Sequence, residues 1–150
     1  MKRLNHNARL LVTDGGRATV FRNAGQAAKP HLEEHKVYHQ DNPPTREQGA
    51  DKPPRVNSAQ GARSSIAQTD LHQQAEDRFI EAIAADMDAD LKQGKFQELI
   101  VVAPPVALGV YRKAASAQLK KATLMEINKD LTKHAAADVA AIVVKALEGG

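Results

Sequence analysis

Phe96-Gln-Glu-Leu-Ile-Val-Val-Ala103 is a nearly unbroken apolar run, closed by Pro104-Pro105. A strand with one wet face alternates apolar and polar residues, whereas a continuous run needs cover on both faces. That one segment excludes a simple sheet with a solvated side and requires helices above and below it. Pro105 is well placed to open one of them, because a first helical residue needs no N–H donor. Val106-Ala-Leu-Gly-Val-Tyr-Arg112 continues it.

The flanks supply the rest of such a fold. Ala8-Arg-Leu-Leu-Val-Thr13 is a buried-strand run, and Arg17-Ala-Thr-Val-Phe-Arg22 alternates after Asp14-Gly15-Gly16. Glycine tolerates the backbone angles that tight hairpin turns require, so the pair is expected to be a hairpin. His31 to His39 alternates as a half-exposed third strand. Thr69 or Asp70 fits a helix N-cap, and Leu71, Ala75, Phe79, Ile83, Met87 and Leu91 mark one helical face ended by Gly94. Ala122 to Ile127 is a strand, and Val139, Ile142, Val143, Ala146 and Leu147 form a last helical stripe. The expected fold is a single α/β domain over residues 1–150, in the order βββ–loop–α–β–α–β–α. Its mixed five-stranded sheet would begin as an antiparallel meander and continue in parallel strand–helix units.

Between Gln40 and Gln68 the only sizeable apolar side chains are Val56 and Ile66, and two Pro-Pro pairs keep the backbone extended. The expectation is a long flexible loop, since such a stretch cannot offset the entropy of ordering itself. It holds Arg46, Lys52, Arg55 and Arg63 against Glu47 and Asp51, in a chain with formal charge +3. A basic loop suits phosphate backbones; a solvated loop is the plainer interpretation. Aromatic residues make up only 3% of the chain, which argues against base-stacking readers. The absence of cysteine removes disulfides, thiolate metal sites and cysteine nucleophiles. With no export signal or membrane-length apolar run, a cytoplasmic protein without membrane contact is expected.

The residues with chemical potential gather at strand ends. Asp14 is either a turn former or a carboxylate at a sheet-end crevice, where α/β sheets tend to bind ligands. Asp70 and His72 are either a cap and a surface residue or a functional pair, an acid and a base as in a hydrolase or two metal ligands without an identifiable third. Lys129, Asp130, Thr132 and His134 follow the last strand at that same end, and either line the crevice or precede the final helix. His31, His35 and His39 are spaced too widely along a strand to share an ion, so no metal site is expected, and no cofactor motif occurs. An exposed meander edge could pair with a second copy.

Val12-Thr-Asp-Gly-Gly-Arg-Ala-Thr-Val-Phe21, Thr69-Asp-Leu-His72, Ala103-Pro-Pro-Val-Ala-Leu-Gly109, Lys129-Asp-Leu-Thr132 and His134, in this order, resemble the bacterial family of proteins required for attachment to host cells. That family is itself similar to the middle domain of archaeo-eukaryotic peptide-chain release factors, an RNase H-like arrangement. The resemblance implies a non-catalytic binding protein with an indirect role in attachment. Its release-factor side implies instead a ribosome- or RNA-associated protein. Release factors carry Gly-Gly-Gln ahead of the long helix; the corresponding segment here reads Ala59-Gln60-Gly61, and the sequence contains no Gly-Gly-Gln.

Overall fold

The computed structural model describes residues 2–40 and 61–149, with the side chains of residues 61–70 outside the description. The elements are β1 (Arg9–Thr13), β2 (Arg17–Asn23), β3 (Leu32–His39), α1 (Gly61–Lys92), β4 (Leu99–Ala103), α2 (Pro105–Ala114), α3 (Ala117–Ala122), β5 (Thr123–Asn128) and α4 (Ala136–Gly149). They form one mixed five-stranded sheet in the order β3-β2-β1-β4-β5. β1 pairs antiparallel with β2 and parallel with β4, and β4 pairs parallel with β5. The meander and the parallel units therefore share one sheet, as the residue pattern implied.

Both faces are covered. Leu11, Leu99 and Val101 face one cluster with Ile80, Ile83, Met87, Leu108 and Tyr111 of α1 and α2. Their alternates Leu10, Val12, Ile100 and Val102 face a second cluster with Val139, Val143 and Leu147 of α4. Period-two alternation thus sends neighbouring side chains of β1 and β4 into two separate cores, and each of these strands is buried along its whole length. That is the physical meaning of the apolar run ending at Ala103.

Several local expectations are corrected. The long helix begins at Gly61, so Gly61–Gln68 is helical rather than loop, and Thr69 and Asp70 are interior positions rather than caps. The rest of the expected loop lies outside the described residues. Leu71 is 58% exposed, but Ile83 and Met87 of the expected stripe are in the core beside Ile80 and Ala84, with Phe79 and Leu91 packed against it. A short helix, α3, intervenes before β5; Ser116 caps it by accepting from the Leu119 N–H at 3.0 Å. The pairing on β3 also slips. Val20 opposes Lys36 while Phe21 opposes Glu34, which leaves His35 at a bulge. His31 precedes the strand, so the three histidines lack even a common strand face.

Candidate functional site

The polar cluster at the sheet end is built from two turns. After β1, the Asp14 Oδ1 accepts the backbone N–H groups of Gly16 at 2.8 Å and Arg17 at 2.9 Å. Such an Asx arrangement closes a turn without help from the ladder. The buried Thr13 hydroxyl donates to Arg17 O at 2.8 Å and accepts from Gly15 N at 3.2 Å. Gly15 has φ +97°, a conformation that a Cβ would strain. A Cβ there would also lie 3.0 Å from Glu76 Oε1, so α1 delivers a carboxylate against the backbone of this turn.

After β5, Asp130 repeats the device: its Oδ1 accepts from Thr132 N at 3.1 Å and from the Thr132 hydroxyl at 2.6 Å. The Thr132 hydroxyl also lies 3.4 Å from Asp14 Oδ2, joining the two turns. Asp130 is lowered from its ordinary pKa chiefly by the Thr132 hydroxyl. Burial opposes this, while the Thr132 N–H and the charges of Lys133 and Arg17 reinforce it. Asp14, Asp130 and Thr132 therefore converge, with Glu76, Arg17 and Lys133 beside them. Sequence reasoning missed the last three. Arg17 and Lys133 had the signal of direct adjacency to the turns; Glu76 had none, because it arrives through the path of α1.

The remaining expected residues do not join this cluster. Lys129 and His134 are exposed and, among the described residues, engage by backbone, through Lys129 N to Ile127 O at 3.0 Å and His134 N to Leu131 O at 3.1 Å. His72 is exposed on α1. The Asp70 side chain lies outside the described residues. Its backbone lies inside α1 rather than at a non-helical N-cap. Arg46, Lys52, Arg55 and Gln60 lie outside the described residues, as does the side chain of Arg63.

Chemically, the cluster is a pair of committed carboxylates. Each already accepts two turn hydrogen bonds through one oxygen. Among the described residues, no group of three or more His, Cys, Asp or Glu could hold a metal ion. No helix among them is long and apolar enough to cross a membrane.

A mixed sheet covered on both faces, with two turns cross-linked at its parallel-strand end, is the frame in which the comparisons fall. The class is an α/β domain with a mixed five-stranded sheet. The chain belongs to bacterial archaeo-eukaryotic release factor family 12, whose model matches residues 7–143. No curated protein matches the chain. Among solved structures, the chain is similar to an archaeal translation termination factor, aRF1, at TM-score 0.46 and 15% identity, covering 95% of this chain and 39% of that one. The family match supports the release-factor side of the resemblance and gives no support to a role in host attachment. Nothing in the comparisons supports a paired second copy at the β3 edge.

Proposed function

We propose that this protein acts in translation, associating with the ribosome through its RNA. The observation that carries this reading is the release-factor-related family model, which spans nearly the whole chain. The cations Arg46, Lys52, Arg55 and Arg63, placed in sequence ahead of and at the start of α1, support it as a source of phosphate contacts. Without Gly-Gly-Gln, the reading is one of contact and not of peptidyl-tRNA hydrolysis by that motif.

Sedimentation through a sucrose cushion with purified ribosomes tests it. Binding is expected at low salt and should weaken steeply towards 200 mM, because each phosphate contact releases a counterion; a slope of about −0.7 to −0.9 per contact is expected. Replacing the four cations by glutamine should flatten that slope. A chain that stays in the supernatant at the lowest salt overturns the reading.

A further inference from the structure

Three helices end at one end of the sheet, opposite the Asp14–Thr132 cluster. α1 leads through Gly94 into the start of β4, α2 runs back from the far end of β4, and α3 leads directly into β5. Each last turn is basic: Lys92 on α1, Arg112 and Lys113 on α2, Lys120 and Lys121 on α3. Cations at a helix C-terminus are ordinary, since they complement the helix dipole. Three such ends at one end of the sheet place five cations there.

A tether fixes that convergence. The Ser116 hydroxyl donates to Asp88 Oδ1 at 2.6 Å, pinning the α2–α3 junction onto α1, and Lys92 Nζ reaches Asp88 Oδ2 at 3.1 Å. Asp88 is paired with Lys92, Asp90 with Lys36 and Lys95, and Glu126 with Arg112, while Glu98 accepts from Asn5. Lys113, Lys120 and Lys121 are exposed and, among the described residues, form no ion pair.

We infer that Lys113, Lys120 and Lys121 form a second RNA-contacting surface, which binds phosphate backbone without reading bases. This rests on the translation reading above. Lysine is a point charge on a flexible stem, suited to phosphates whose geometry is not fixed in advance. A protein partner would be expected to find an apolar or aromatic anchor. The exposed large apolar residues among the described ones are Val37, Leu71 and Val106, and none of them belongs to these helix ends.

The test compares wild type, K113E/K120E/K121E, the milder K113Q/K120Q/K121Q, and a matched reversal at Lys2, Lys29 and Lys145, which lie around α4. Each is sedimented with ribosomes and titrated against protein-free ribosomal RNA over a salt series, with thermal melts as the folding control. The glutamate variant is expected to bind both about tenfold or more weakly at about 100 mM salt. Its salt slope should fall by about 2, as for three lost contacts; the glutamine variant should lie between, and the α4-side variant should match wild type. Unchanged slope and affinity in both variants overturns the inference and leaves the translation reading standing. Loss on ribosomes with unchanged binding to bare RNA assigns the patch to an acidic protein and also overturns it. Equal loss in the α4-side variant reduces the effect to net charge and overturns it as well. Wild type that binds neither ribosomes nor RNA removes the translation reading first.

Discussion

The Thr132 hydroxyl sits 2.6 Å from Asp130 and 3.4 Å from Asp14, a residue 118 positions away in the chain. One short side chain thereby couples the turn leaving the central strand to the turn leaving an edge strand. The shorter contact identifies Asp130 as its principal acceptor; Asp14 is a second, weaker one.

Replacing Thr132 by valine keeps the shape and removes the donor. The expected loss is about 0.5–1.5 kcal/mol, typical of one intramolecular hydrogen bond, read as a lower urea midpoint. Asp130 should titrate higher in the variant, because the hydroxyl is the main influence holding it down. NMR titration of the Asp130 carboxyl reads that directly, and an unmoved value refutes the coupling.

Gly15→Ala meets two obstacles, a φ of +97° and the Glu76 carboxylate 3.0 Å from the new Cβ. A cost of about 1–3 kcal/mol is expected from the backbone alone. Adding Glu76→Ala should recover only part of it, since shortening Glu76 leaves the backbone angle unchanged. Full recovery in a double-mutant cycle would locate the strain in the contact instead.

Asp90 is 8% exposed and holds Lys36 at 3.1 Å and Lys95 at 3.5 Å. Burial alone would raise its pKa; the hydrogen bond and charge of Lys36, joined by Lys95, outweigh burial and lower it. A folded-state value below the unfolded one means that the unfolded chain binds more protons in that window. The stabilisation is present above about pH 4 and disappears as pH falls through the folded value. Asp90→Asn should cost about 1–3 kcal/mol at neutral pH, towards the lower end because both lysines meet solvent. It should also flatten the acid limb of the urea midpoint plotted against pH.

Thr123 donates its hydroxyl to Leu119 O at 2.7 Å, so the buried Tyr111 hydroxyl, 2.8 Å away, must donate to Thr123. Burial pushes Tyr111 up to about 12, and the charge of Glu126 acts in the same direction. Its stabilisation is complete below about pH 10 and is lost as pH rises through the folded value. Tyr111→Phe should cost about 1 kcal/mol and remove that part of the alkaline loss.

The signals that could be read in advance were those tied to backbone chemistry. Asp14-Gly15-Gly16 marked the hairpin, Pro105 opened α2 as its first residue, and Gly94, at φ +76°, closed α1. The start of α1 was hidden because Gly61–Gln68 has one large apolar residue and no proline, which leaves periodicity silent, while Thr69 and Asp70 offered a plausible cap inside a longer helix. α3 was too short to show a stripe, with Leu119 its buried residue, although Ser116 was a cap signal in plain view. Leu71 fits the spacing of the core stripe but lies ahead of the helix's core-facing positions, which include Phe79 and the fully buried Ile80. Asp14, Thr132 and Asp130 could be placed together by the rule that parallel strands share an end. Glu76 could not, because only the packed helix brings it there.

The pairing of Leu10 with Ile100 joins residues 90 positions apart through the middle of the sheet. A chain made from its N-terminus at about 5–20 residues per second completes β1 roughly 5 to 18 seconds before its parallel partner emerges. During that interval the apolar strand has a hydrogen-bonding side without its native neighbour. The nascent meander is thus the stage at which this protein is most open to capture by chaperones or by another copy of itself, and early truncations should aggregate where the complete chain does not.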